Sequence, residues 1–230
     1  MQTVSASRIW GLAWERFKET WGPLVGLFVV SILVSFIPFV GSLFSLLIFS
    51  PALFVAGLWV AREGKLSFGD PFKDVGKLVL MGLYLVVLFL VPGIIWAIAY
   101  TSYGMSVFMA PDTFNPYGEG GSSLGAGFFA LILLASLCLF VIQLLFWPGI
   151  LLLYEGKASF GGAFGAGLNL TLKNIGIAVG FFLLFLLVNL LGAIACGVGL
   201  LITVPVSYVA YGIFYLVMMG EWSENNSTLA

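Results

Sequence analysis

Along this chain, polar residues fall in short clusters separated by long apolar stretches. Residues 22–61, 78–111, 120–154 and 174–220 contain no Asp, Glu, Lys or Arg. A helix rises 1.5 Å per residue, so crossing a hydrocarbon core of about 30 Å takes roughly 20 residues. The first run predicts two crossings with a turn near Pro38–Gly41, and the last predicts two with a turn near Cys196–Gly199. The middle runs are long for one crossing and short for two. Pro92-Gly93 would cut the first of them into pieces too short to span, so each is read as one long, broken or tilted helix. The pattern specifies an all-α polytopic transmembrane helical bundle of about six crossings, with eight as the alternative count.

Before the first apolar run, Trp10, Trp14, Phe17 and Trp21 recur at helical spacing. Arg8, Glu15, Arg16, Lys18 and Glu19 fall on the other faces. The segment is read as an amphipathic helix over 5–21 lying in the membrane interface, with its indoles at headgroup level. It lacks the short basic region, apolar core and cleavage site of a secretory signal.

A repeat organises the remainder. Glu63-Gly64-Lys65-Leu66-Ser67-Phe68-Gly69-Asp70-Pro71-Phe72 returns at 155–164 as Glu-Gly-Lys-Ala-Ser-Phe-Gly-Gly-Ala-Phe, seven of ten positions identical at an offset of 92. Each copy follows one predicted crossing and precedes the next on the same side, so the halves are related in parallel. Glu-Gly-Lys predicts a hydrated turn with Gly at positive φ, and Ser67, Ser159 or Asp70-Pro71 predict the start of a short surface helix. Residues 1–230 therefore read as a single transmembrane domain. Its parts are the interfacial helix (1–21), a first half (22–110), an extracytoplasmic loop (111–124), a second half (125–220) and a cytoplasmic tail (221–230).

Composition agrees: 61% of the residues are hydrophobic and 8% are charged, against about 25% charged in an ordinary soluble domain. All nine Lys and Arg fall in clusters at 8–18, 62–77 and 157–173. Six crossings put these on one face, and the excess of cations predicts that face, with both termini, to be cytoplasmic. The net charge of −1 gives no basis for nucleic-acid binding. The chain has no histidine, which removes histidine acid/base catalysis and histidine metal ligation. Cys138 and Cys196 lie inside apolar runs and read as packed thiols.

No ionisable side chain falls inside a predicted crossing, which argues against a proton-coupled carrier and an intramembrane acid/base enzyme. Gln143 and Asn189 lie deep in apolar runs. An amide there seeks a partner on another helix, so both read as interhelical hydrogen-bonding groups. Small residues four apart, at Gly22/Gly26, Ser31/Ser35, Ala193/Gly197 and Ala195/Gly199, predict close helix packing. Tyr208, Tyr211 and Tyr215 form a stripe read as core or interface belt, and Lys65 and Lys157 are a candidate pair for lipid phosphate. Glycosylation sequons at 169–171 and 225–228 fall on the predicted cytoplasmic side and are discounted. No catalytic, cofactor-binding or metal-ligating residue is nominated.

The chain resembles small six-helix bacterial membrane proteins of unknown function, related to the membrane domain of some glycerophosphodiester phosphodiesterases. Val91-Pro92-Gly93-Ile94-Ile95 and Trp147-Pro148-Gly149-Ile150-Leu151 are similar to that group's Pro-Gly-Ile helix break. The stretch from Asn189 to Leu201, followed by Val204-Pro205 and Tyr215, is similar to its last helix pair. The resemblance implies the architecture and transfers no active site. The expected function is a non-catalytic integral membrane protein of the bacterial cytoplasmic (inner) membrane. Its expected role is that of an accessory or scaffold subunit of a larger membrane complex, with the lipid bilayer and other membrane subunits or further copies of itself as partners. The alternative is a carrier or channel for a lipid-like or neutral solute.

Overall fold

The computed structural model describes residues 4–38, 40–109, 119–195 and 197–222. Among them the helices are α1 (Ala6–Ser35), α2 (Val40–Phe44), α3 (Ser50–Glu63), α4 (Val75–Met109), α5 (Glu119–Phe146), α6 (Pro148–Tyr154), α7 (Phe160–Lys173), α8 (Ile175–Ile194) and α9 (Leu200–Met219). A π-helical turn, Ser45–Phe49, joins α2 to α3, making one rod over Val40–Glu63. Among the described residues six helical segments are long and apolar enough to cross a membrane, and the fold is an all-α helical bundle. The turns expected near Pro38–Gly41 and Cys196–Gly199 are where chain direction changes, although Phe39 and Cys196 lie outside the described residues. The first middle run is a single helix that continues through Pro92, and the second breaks at Trp147-Pro148 between α5 and α6. Of the loop expected over 111–124, residues 111–118 lie outside the described residues, and the remainder is helical from Glu119.

The N-terminal helix expected over 5–21 is the first limb of α1. It starts at the Ser5 N-cap, whose hydroxyl accepts from the Arg8 amide at 3.3 Å, and a kink at Thr20 (φ −124°, ψ 16°) divides it from the second limb. Pro23 three residues on leaves the Glu19 carbonyl without its helical donor, and separately Thr20 Oγ1 donates to the Arg16 carbonyl at 2.9 Å, which bends a helix further. The aromatic stripe is also divided. Trp14 and Trp21 are exposed, but Trp10 and Phe17 are buried in protein, Trp10 stacking on Phe181 at 5.6 Å. The buried face runs through Ile9, Ala13, Arg16 and Thr20, roughly a quarter turn from the aromatic stripe at 100° per residue. Arg16, expected on an outer face, is therefore buried.

Two compact units emerge: residues 1–85 with 144–230, and residues 86–143. In the first, α9 is the central helix, packed most extensively against α3 and then α1 and α8. Glycine permits the closest of these approaches. A Cβ on Gly212 would lie 2.5 Å from the Gly57 carbonyl oxygen, and one on Gly199 2.6 Å from that of Gly192, so helix backbones touch at both places. Gly192 and Gly199 carry the α8–α9 contact in place of the expected Ala193 and Ala195 pairs. Aromatic rings fill the interior: Trp147, Phe181 and Phe214 stack, with Phe181–Phe214 centroids 4.4 Å apart and Trp147–Tyr211 4.8 Å apart. In the second unit, Tyr100 meets Phe128 edge-on at 5.5 Å, while Phe129, Leu133 and Leu137 are exposed, as helices facing lipid require.

Candidate functional site

Three helix C-termini in the first unit end in the same way and at the same place. Gly64 (φ 67°) closes α3, Gly156 (φ 70°) follows α6 and Gly220 (φ 70°) closes α9. All three occupy the left-handed conformation that lets a terminal amide return to the carbonyls of the last turn. The Gly64 amide donates to the Val60 carbonyl, Lys157 to Leu152 and Glu221 to Leu216. Both copies of the repeat thus make the expected turn. They diverge one step later. In the first copy the Ser67 amide donates to the Asp70 carboxylate at 2.7 Å, and only a short 3₁₀ turn (Asp70–Phe72) follows. In the second the Ser159 hydroxyl accepts from the Gly162 amide and caps the 14-residue helix α7.

The helix ends are joined by a closed ring of alternating charge. Arg62 on the last turn of α3 pairs with Glu155 and, at 2.7 Å, with Glu221. Lys157 pairs with Glu155 at 2.7 Å and with Glu221 at 2.5 Å. Tyr215 on α9 donates its hydroxyl to Glu155 at 2.5 Å. Glu155 is the buried member, its side chain 8% exposed, while Arg62, Lys157 and Glu221 are 34–40% exposed. A carboxylate taken out of water needs such partners. Arg62 also lies in the last turn of α3, where the helix dipole favours positive charge. Burial acts against the charge on Lys157, but hydrogen bonds with Glu155 and Glu221 outweigh it and raise its pKa above the ordinary lysine value. The hydrogen bond from Lys157 lowers the Glu221 pKa, against the opposing effect of burial. Arg16 lies against Gly64 at the end of α3 and brings a further cation to this face.

Beside the ring opens a cleft of about 430 Å³. Leu58 and Trp59 line its apolar side, and Arg62, Glu63, Lys77 and Tyr154 are on its polar side, with Glu155 and Lys157 behind. Lys73 lies 5.0 Å over the Trp59 ring and Lys77 5.4 Å over that of Tyr154.

The expected residues are distributed unevenly around this site. Lys157 belongs to it, but Lys65 is exposed and makes no ion pair with a described residue, so the proposed lysine pair is not brought together. Tyr215, read as packing, is both buried and a ring member. Asn189 behaves as expected: its Nδ2 donates at 2.9 Å to the Ser207 hydroxyl on α9 and also to the Phe185 carbonyl. Gln143 and Cys138 are half-buried. Sequence reasoning missed the Arg62–Glu155–Glu221 constellation. The one available signal was the position of Glu155 and Glu221 immediately beyond helix ends, since the partners are 60 or more residues apart. As chemistry, the ring is a clamp. Its two carboxylates each meet both cations, and the Tyr215 hydroxyl donates to Glu155. Compared with known proteins, the chain matches no family model, no curated protein and no solved structure.

Proposed function

We propose that this chain is a non-catalytic accessory or scaffold subunit of a larger assembly in a bacterial cytoplasmic membrane. In this reading it crosses six times, with both ends in the cytoplasm. The observation that carries the reading is the ring itself. The chain's buried carboxylate and its neighbours are committed to fastening α3, α6 and α9 together, and the space above them is filled by stacked rings and touching backbones. Such a body presents fixed helix faces to neighbours, the property a scaffold needs. The cations of this face, Arg62, Lys73, Lys77 and Lys157, support a cytoplasmic orientation. The test is extraction into mild detergent or native nanodiscs followed by mass measurement and identification of retained proteins. A defined assembly larger than one chain is expected, and a stable lone monomer under native conditions would overturn the proposal.

The second reading, a carrier for a lipid-like or neutral solute, draws on the α5–α6 break at Trp147-Pro148, where a helix end is freed within the bundle. Flux of a lipid analogue into proteoliposomes above that of empty vesicles would favour it over the scaffold. Trp147, packed among Phe181, Tyr211 and Phe214, would have to leave its cage for such transport.

A further inference from the structure

The cleft beside the ring holds charged groups that the ring does not satisfy. Arg62 meets both of its carboxylates through the same terminal nitrogen, Nη2. Its Nε and Nη1 donors make no hydrogen bond to a described residue, and the side chain is 40% exposed. Among described residues the Lys77 ammonium has one carboxylate, Asp74 at a loose 3.6 Å, besides the Tyr154 ring below it. Glu63 is exposed and forms no ion pair with a described residue. One wall therefore offers N–H donors from two cations, and another group on the same cleft offers a spare carboxylate. Both two-donor edges of the guanidinium include the engaged Nη2, so Arg62 offers a phosphate single N–H donors at Nε and Nη1, and the Lys77 ammonium on the same cleft supplies a second point of charge.

The position narrows the ligand further. Arg62 and Glu63 end a helix apolar enough to cross a membrane, and Lys77 lies in the first turn of another. The cleft is thus at the height where hydrocarbon gives way to water. Its apolar side is Leu58 and Trp59, and aromatic rings are favoured at that depth. The volume of about 430 Å³ falls within the range of roughly 300–1,000 Å³ for small-molecule sites.

We infer that this cleft is a binding site for an aminophospholipid headgroup, with Arg62 and Lys77 holding the phosphate and Glu63 the ammonium. The shared chemistry is phosphoethanolamine, a phosphate ester carrying a primary ammonium. The acyl chains lead away past Trp59, the half-buried ring on the apolar side. An anionic headgroup without the ammonium leaves Glu63 unpaired and facing the phosphate, which works against it. The site stands apart from the scaffold reading, since a monomer or a carrier could hold the same lipid.

The test uses the full chain in mild detergent, titrated separately with dioleoyl phosphatidylethanolamine, dioleoyl phosphatidylglycerol and soluble glycerophosphoethanolamine, with retention read by native mass spectrometry. One phosphatidylethanolamine per chain is expected, held about tenfold more tightly than phosphatidylglycerol, a tenfold ratio being about 1.4 kcal/mol. Lys77→Ala should weaken both lipids, while Glu63→Gln should weaken phosphatidylethanolamine alone and abolish the preference. Both residues are exposed and outside the ring, so unchanged thermal midpoints are expected in the two variants. Equal retention of the two lipids by the unaltered chain, or unchanged retention in both variants, would overturn the assignment. Displacement of the lipid by glycerophosphoethanolamine at equal concentration would overturn the membrane lipid as the source and leave a soluble phosphate ester in its place.

Discussion

The two copies of the Glu-Gly-Lys motif begin alike and end as different things. Both place glycine at a φ near +70° after a helix, yet Glu63 and Lys65 stay in solvent while Glu155 is buried among Arg62, Lys157 and Tyr215. The motif dictates the turn, because backbone geometry depends on the few residues that make it. It does not dictate the site. The second copy becomes a charge ring because the end of α9 delivers Tyr215 and Glu221 to it and the end of α3 delivers Arg62. The first copy contributes nothing to the ring itself, whose Arg62 precedes the motif, and reaches the neighbouring cleft through Glu63.

The largest effect that sharpens this contrast is at the two glutamates. Glu155→Ala removes a buried carboxylate and leaves Arg62 and Lys157 short of a partner. It should lower stability by about 2–4 kcal/mol, below the upper end for buried pairs because both cations are partly solvated. Glu63→Ala should stay within about 0.5 kcal/mol. Thermal unfolding of both variants in the same detergent checks this, and similar losses would erase the distinction between the copies.

Next in size are the glycines. Gly156→Ala has open space for the new methyl group and should cost only the left-handed strain, about 1 kcal/mol. Gly64→Ala adds a collision with the Arg16 guanidinium, which must move from its seat at the end of α3, and should cost about 2 kcal/mol. Here the first copy is the more sensitive, the reverse of the glutamates. Equal losses would show that Arg16 gives way freely.

These cases also mark what was legible in the sequence. The turns were, since Gly64 and Gly156 follow from local chain chemistry, and so were the crossings, since apolar length is a local property. Asn189 was readable because an amide in an apolar run has few ways to be satisfied. The N-terminal stripe was legible only in part, because an aromatic face at helical spacing looks the same against lipid as against protein. Trp14 and Trp21 stay exposed, but Trp10 and Phe17 meet protein. Arg62, Glu155 and Glu221 could not have been grouped, because no local rule links a helix end to another 159 residues away.

Outside the repeat, Asn189→Leu provides a neutral comparison for the charged ring. It removes the bond to Ser207 and should cost about 1–2 kcal/mol without preventing membrane insertion. A variant as stable as the parent would mean that the buried amide contributes nothing.

The smallest effect is that of pH on the exposed half of the ring. The Glu221 pKa is lowered in the fold, so its contribution is present above the ordinary value of 4.5 and is lost as pH falls through the lowered value. The Lys157 pKa is raised, so its contribution is full below 10.5 and is lost as pH rises through the raised value. The stability gap between the parent and Glu221→Gln should be flat between these limits, under about 1 kcal/mol for so exposed a group, and should close in acid. A gap that widened below pH 4.5 would contradict the sign.

The central claim, that one motif makes two turns and only one charge ring, is tested most directly by paired double-mutant cycles. One couples Arg62 with Glu155 and the other couples Glu63 with Lys65, each read by unfolding in the same detergent. The account predicts a coupling of about 1–3 kcal/mol for Arg62 with Glu155 and under about 0.3 kcal/mol for Glu63 with Lys65. Equal coupling energies in the two cycles would contradict it.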